Sequence, residues 1–177
     1  MNMLKLVKAP DLVSLLSLAF AMLSIFSSIE RDFNTAMFFM ILSVVADYSD
    51  GMLARLMHRT GNFGKQVDSL ADIIAFGVTP AVFGYMVLGR DTFTMAALVI
   101  FTCAGLLRLA RYNISPASDY FEGLPITSSA LLIPAAYTLL PLNLLPYLYL
   151  LLAALMISSI KVSKLKLGKK DKKQKKS

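Results

Sequence analysis

Four of the chain's 11 acidic residues, Asp47, Asp50, Asp68 and Asp72, lie within or at the edge of otherwise apolar stretches. A carboxylate at the centre of a membrane helix costs roughly 2.5–3.5 kcal/mol on insertion scales, so such groups face a protein interior or a water-filled cavity. Residues three or four apart share a helical face. Asp47 therefore projects with Asp50, and Asp68 with Asp72. Four carboxylates held together repel unless they protonate or bind cations. All-oxygen ligation suits hard ions, namely Mg²⁺, Mn²⁺ or Ca²⁺. Softer sites lack their residues: the one histidine, His58, stands beside Arg59, and the one cysteine, Cys103, lies in an apolar run. No disulfide or thiolate cluster can form within one chain on that inventory.

The neighbours of the aspartates are small or basic. Asp50 is followed by Gly51, Ala54 and Arg55, and Gly64 comes one helical turn before Asp68. Small residues let helix backbones approach each other, or let a flat ligand approach the backbone. Arg55 can pair with a phosphate or carboxylate. For the glycines alone, helix packing competes evenly. Beside four aligned carboxylates, a cradle for nucleotide phosphates is the stronger reading.

The elements that must hold these groups are legible in the composition. Of 177 residues, 56% are hydrophobic and only 16% charged, with a mean hydropathy of +0.64. Soluble domains carry about 25% charged residues. A bilayer span needs about 20 mostly apolar residues. Six stretches are predicted to be spans: residues 12–29, 33–57, 66–88, 92–112, 124–140 and 144–161. The second and third, which carry the aspartates, are joined by a short loop and are expected to pack antiparallel. Residues 1–8 could form a short interfacial helix. The N-terminal lysines before an apolar stretch resemble a signal peptide, but without a small-residue cleavage site the stretch reads as a retained first helix.

Charge supports the layout. With six spans, Lys5, Lys8, Arg55, Arg59, Lys65, Arg108, Arg111 and the lysines from Lys161 onward fall on one side, leaving only Arg31 and Arg90 opposite. By the positive-inside rule both termini are cytoplasmic. The expected organisation is an all-α membrane domain over residues 1–161 and a basic, structureless tail over residues 162–177. That tail reads foremost as a solvated anchor near an anionic leaflet. It lacks the aromatics and platform of a nucleic-acid site.

The aspartates and their neighbours spell D-x-x-D-G-x-x-A-R-x8-G-x3-D-x3-D from Asp47 to Asp72. This resembles the signature of the CDP-alcohol phosphatidyltransferases. The resemblance implies a six-helix core, cytoplasmic termini and a homodimer. It implies that Asp47, Asp50 and Asp68 hold two divalent ions, Mg²⁺ or Mn²⁺ with Ca²⁺ also able to enter, on the pyrophosphate of a CDP-linked lipid. Asp72 would join the metal site and act as general base on the incoming alcohol. Gly51, Ala54 and Arg55 would contact the CDP group, and Gly64 would admit the nucleotide closely. The products would be a phospholipid and CMP. Two metals stabilising the attacking and leaving oxygens would suit such a displacement.

Three further stretches are similar to the phosphatidylserine synthase branch of that family. These are Asp68-Ser69-Leu70-Ala71-Asp72 continuing to Phe76-Gly77-Val78-Thr79-Pro80, Arg108-Leu109-Ala110-Arg111-Tyr112-Asn113, and Phe121-Glu122-Gly123-Leu124-Pro125. The branch implies L-serine as acceptor and CDP-diacylglycerol or CDP-archaeol as donor. Arg108 and Arg111, three apart, could bind the serine carboxylate or a donor phosphate; the weaker alternative is membrane anchoring. Lys65 and Asn113 are further candidates for that subsite. Two positions depart from the family pattern: Asp11 follows Pro10 where Asn is usual, and Ile126-Thr127-Ser128-Ser129 replaces a Pro/Ala-rich run. The same chemistry could serve glycerol 3-phosphate or an inositol phosphate. From other classes, a cation or proton transporter would use the carboxylates but leave the Gly-Ala-Arg spacing idle. A two-aspartate intramembrane protease would not need four.

Overall fold

The computed structural model describes residues 9–56, 62–114, 120–158 and 161–163. Helix α1 (Ala9–Ile29) turns back through a tight loop into α2 (Phe33–Leu56). The next apolar stretch is α3 (Asn62–Asp72), a π-helical turn over Ile73–Val78, and α4 (Thr79–Leu88). Helix α5 (Thr92–Ile114) follows, then α6 (Ser129–Leu139) and α7 (Leu145–Ile157), the last two each preceded by one 3₁₀ turn. A short antiparallel ribbon pairs β1 (Tyr120–Glu122) with β2 (Lys161–Ser163), Tyr120 opposite Ser163.

Two helices begin where a side chain caps them. The Asp32 carboxylate accepts the Thr35 backbone N–H at 3.2 Å before α2, and Asp91 accepts that of Thr94 at 2.8 Å before α5. Each satisfies an orphan donor of the first turn. The hydrogen bonds from Thr35 and from Thr94 hold these two carboxyls below the usual carboxylate range.

The bundle is inverted relative to a soluble one. On α1, Ser14, Ser17, Ser24 and Ser28 are buried, whereas Leu12 and Phe26 are 59% and 52% exposed. Large apolar side chains outward and hydroxyls inward is the arrangement for a protein whose solvent is lipid. The buried serines draw α1 and α2 together: Ser17 Oγ donates to the Ser43 carbonyl at 2.9 Å, and Ser24 Oγ to the Ala36 carbonyl at 2.8 Å. Asp11–Ile29, Phe63–Leu88 and Thr92–Ile114 are long and apolar enough to cross a membrane. Phe33–Ser49, Ile126–Leu139 and Leu142–Ile157 are apolar but shorter. The chain is therefore a helical membrane protein.

The far half of the core is aromatic. Phe33, Phe83 and Tyr137 pack with ring centroids 5.3–6.0 Å apart, and Phe101 stands edge-on to Tyr149 at 5.2 Å. The Tyr149 hydroxyl is wholly buried and donates to the Pro80 carbonyl at 2.6 Å. Gly84 makes room for that hydroxyl, since a Cβ there would lie 2.5 Å from it.

Several expectations change. The 66–88 stretch is not one regular helix, because Pro80 removes a backbone donor and the π turn lies just before it. The 124–140 stretch enters its helix only at Ser129, since Pro125 is extended at φ −58°, ψ 135°. The 144–161 helix ends at Ile157, where Ser158 turns extended. Lys161 is in strand β2, and Val162 and Ser163 belong to that strand rather than to a structureless tail. Among the described residues the architecture is thus all-α apart from this ribbon. The expected interfacial helix over residues 1–8, His58 and the tail beyond Ser163 lie outside the described residues. Finally, α1 packs along α2 and also along α3, the π turn and α4. It packs against both aspartate-bearing segments.

Candidate metal centre

Asp47 stands on α2, nine residues before its end at Leu56, and Asp68 and Asp72 on α3, one turn apart. The structure brings these three together: one carboxylate oxygen from each lies within 4.8 Å of the others, and all three residues are half-buried. At that spacing each pair of like charges repels by about 3.5 kcal/mol at the effective permittivity of a protein near its surface. Three such pairs rival the roughly 5–15 kcal/mol by which a whole domain is stable. A hard cation relieves this directly, and three convergent carboxylate oxygens are the donor set it prefers. The residues therefore fit a divalent ion. Asp50 lies on α2 one turn after Asp47, and its side chain is outside those described, as are those of Ala54 and Arg55. Gly51 is exposed on the same helix and Gly64 is buried on α3.

Opposite the carboxylates is Arg108 of α5. Its charge acts on Asp72, and its Nε is buried without a hydrogen-bond partner among the described residues. A half-buried guanidinium with a donor to spare beside an acidic cluster can receive an anionic group.

The other three basic or polar candidates are engaged within the protein. Lys65 Nζ donates to the Asn113 carbonyl at 2.9 Å and lies 5.8 Å from the Tyr112 ring centroid. The Asn113 amide donates to Ser69 Oγ at 2.9 Å. Residues 65, 69 and 113 thus tie α3 to the end of α5. Arg111 donates to the carbonyls of Met156, Ile157 and Ser158 at 3.2–3.3 Å. A cation on the exposed carbonyls of a helix C-terminus is favourable both as a hydrogen bond and with the helix dipole. In this arrangement Arg111 caps α7, while Arg108 lies near enough to Asp72 for its charge to act on it.

Gly123 closes against the same helix end. It has φ +73°, and a Cβ there would meet the Met156 carbonyl oxygen at 2.6 Å. Gly123→Ala is expected to destabilise the protein by about 1–3 kcal/mol, the scale of a strained left-handed residue. Arg111→Ala should likewise lower the unfolding temperature in detergent. An unchanged melt for both would show that the α7 end is not held this way.

Sequence reasoning used Ser69 as part of the D-S-x-x-D stretch but did not pair it with Asn113, which it joins. It also noted Asp11 only as a departure. Asp11 is 2% exposed and sits on the buried face of α1 with Ser14 and Ser17. The signal was present: polar residues at positions 11, 14, 17, 24 and 28 keep one helical face.

Known proteins resemble this chain over most of its length. The family model for CDP-alcohol phosphatidyltransferase matches residues 7–163. The chain is 41% identical over 113 residues to the CDP-diacylglycerol–serine O-phosphatidyltransferase of Saccharomyces cerevisiae, covering 58% of this chain and 41% of that one. It is 40% identical over 129 residues to the enzyme of the same name from Helicobacter pylori strain 26695, covering 70% of this chain and 54% of that one. It is also 40% identical over 133 residues to the archaetidylserine synthase of Methanothermobacter thermautotrophicus, covering 72% and 57%. The chain spans about half the length of these curated relatives. The motif from Asp47 to Asp72 lies wholly within the matched stretch, and its three described carboxylates converge on one point in the fold. On this evidence the chain belongs to the CDP-alcohol phosphatidyltransferase family.

Proposed function

We propose that this chain transfers a phosphatidyl group from a CDP-linked lipid to L-serine, giving a serine phospholipid and CMP. The observation that carries the reading is the convergence of Asp47, Asp68 and Asp72 within 4.8 Å. They lie on the two segments that bear the family's signature. The relatives named as serine transferases support serine as acceptor. One of them is named for archaetidylserine, so the donor is CDP-diacylglycerol or CDP-archaeol.

In this reading Asp47, Asp50 and Asp68 hold divalent ions, Mg²⁺ or Mn²⁺, with Asp72 at their edge. Bound there, such ions would neutralise the donor's pyrophosphate and the departing CMP. The chain's own groups supply the rest. Asp72 accepts the serine hydroxyl proton as that oxygen bonds to the lipid-proximal phosphorus, and the bond from this phosphorus to the CMP oxygen breaks. Arg108 faces the same point and receives the serine carboxylate or a donor phosphate. Arg55 and the small residues Gly51, Ala54 and Gly64 admit the CDP group. Lys65, Asn113 and Ser69 fix the edge of α3 against α5, and Arg111 fixes α7. The shorter apolar helices Phe33–Ser49, Ile126–Leu139 and Leu142–Ile157 complete six spans. The lysine and arginine distribution then puts the aspartate end and both termini on the cytoplasmic side of the cell membrane. Two copies form a homodimer.

The test is an acceptor panel. Purified chain in lipid nanodiscs receives CDP-diacylglycerol, Mn²⁺ and one of serine, glycerol 3-phosphate or an inositol phosphate. CMP is expected with serine. Release with glycerol 3-phosphate and none with serine would overturn the acceptor. Arg108→Ala is expected to raise the serine requirement about tenfold or more, the scale of one charge-assisted contact of roughly 1.5–3 kcal/mol. An unchanged serine dependence would return Arg108 to an anchoring role.

A further inference from the structure

The π turn between α3 and α4 begins at the residue after Asp72. Isolated π turns inside α-helices leave backbone carbonyls in need of donors, and they recur at functional sites. Here three side-chain hydroxyls supply donors along the break. Thr79 Oγ1 donates to the Ile74 carbonyl at 2.9 Å, which the Thr79 backbone N–H also reaches. Tyr149 donates to the Pro80 carbonyl. The third is Ser129, the first residue of α6, which is wholly buried and lies 2.6 Å from the Phe76 carbonyl oxygen.

The Phe76 carbonyl needs an outside donor for a specific reason. In an α-helix it would accept from the N–H of residue 80, and Pro80 has none. Ser129 Oγ also lies 2.7 Å from the Ile126 carbonyl in its own first turn. A serine has one hydroxyl proton, so it serves one of these two oxygens at a time. The Ile126 contact is local, whereas the Phe76 contact links α6 to the turn across 53 residues of sequence.

The turn's geometry fixes where Asp72 points. A helix advances one residue per roughly 100° of rotation, so relaxing a π turn by one residue rotates one flank against the other by about that angle. The α4 flank is clamped: Phe83 is buried among aromatic rings, Pro80 is bonded to Tyr149, and Gly84 packs against the same ring. The α3 flank is polar and half-buried. Its ties to α5 are the exposed and half-buried polar contacts of Lys65 and Ser69 with Asn113, so it is the less firmly held side.

We propose that Ser129 is a positioning residue: by holding the Phe76 carbonyl it fixes the π turn, and through it the aim of Asp68 and Asp72. This rests on the phosphatidyl-transfer reading for its kinetic consequence, but not for its structural one. The comparison is between Ser129→Ala, Ser129→Cys, Ser128→Ala and the wild type, each as full-length protein in nanodiscs. Ser128 is the control, because among the described residues its hydroxyl serves the local Pro125 carbonyl at 2.6 Å. Ser129→Ala is expected to lower kcat about 10- to 100-fold, the range for a small misplacement of reacting groups. The KM for CDP-diacylglycerol should stay within about twofold, as no binding group is removed. Amide hydrogen exchange over residues 73–82 should accelerate at least tenfold, following local opening. Ser129→Cys, a weaker donor of similar size, should fall between the two, and it serves if the alanine variant does not fold. Wild-type kcat and exchange in the Ser129 variants, or equal effects from Ser128→Ala, would overturn the proposal. If the wild type itself releases no CMP, the transfer reading fails, while the exchange comparison still decides the role of Ser129.

Discussion

Asp72→Asn is expected to lower CMP release by about 10²–10⁴-fold, the usual contribution of a positioned general base, with the KM for CDP-lipid changed only a few-fold. Asparagine keeps the shape and the half-buried setting on α3 but cannot take a proton from the serine hydroxyl. If Asp72 served the metal alone, added Mn²⁺ would restore most of the rate. Its expected signature is therefore a kcat loss that saturating Mn²⁺ leaves in place. Steady-state CMP release across a Mn²⁺ series separates the two roles. Full recovery at high Mn²⁺ would remove Asp72 from proton transfer.

The second large effect concerns the other carboxylates. Asp47→Ala and Asp68→Ala should each weaken Mn²⁺ binding by more than the roughly 10–100-fold typical of losing an outer-shell partner. Each removes one of three oxygens that lie within 4.8 Å. CDP-lipid binding should weaken with the metal, because the pyrophosphate loses its counter-charge. Mn²⁺ titration followed by electron paramagnetic resonance reads the first effect without turnover. Metal affinity unchanged in both variants would mean that the cluster holds its charge by protonation instead. The transporter reading would then regain ground, and ion flux in proteoliposomes would test it.

The carboxylate cluster was legible because intramembrane charge is costly and helical spacing is rigid. From those two facts Asp47, Asp68 and Asp72 could be placed on facing surfaces without any fold in hand. The helical character and the apolar stretches followed from composition for the same reason. What composition cannot encode is where a helix stops being regular. Pro80 was visible, but not the π turn that precedes it, where Ser129 at the start of α6 reaches the Phe76 carbonyl from 53 residues away. Arg108 and Arg111 looked equivalent in sequence, three apart on one helix. Only packing separates them: the end of α7 takes Arg111, and Asp72 lies within reach of Arg108's charge. The β1–β2 ribbon was likewise hidden, since its partners are about 40 residues apart and pair by backbone rather than by side-chain pattern.

Lys65 and Asn113 have the right chemistry for an anion, and the fold also bonds Lys65 to Asn113 and Asn113 to Ser69. Polar residues at a helix edge serve structure and ligand alike, and residue type does not distinguish them. The buried serine face of α1 was readable in retrospect as a helix-packing seam. Its polarity ran against the hydropathy that identified α1 as a span.

The most direct test of the metal-dependent transferase account is CMP release from CDP-diacylglycerol and serine by wild-type protein, first stripped with chelator and then returned to Mn²⁺. The expected result is no release above background in chelator and full recovery on Mn²⁺ addition, with Asp68→Ala recovering only at far higher Mn²⁺ if at all. CMP release that persists in chelator, or an Asp68→Ala variant with the wild-type Mn²⁺ dependence, would contradict the account at its centre.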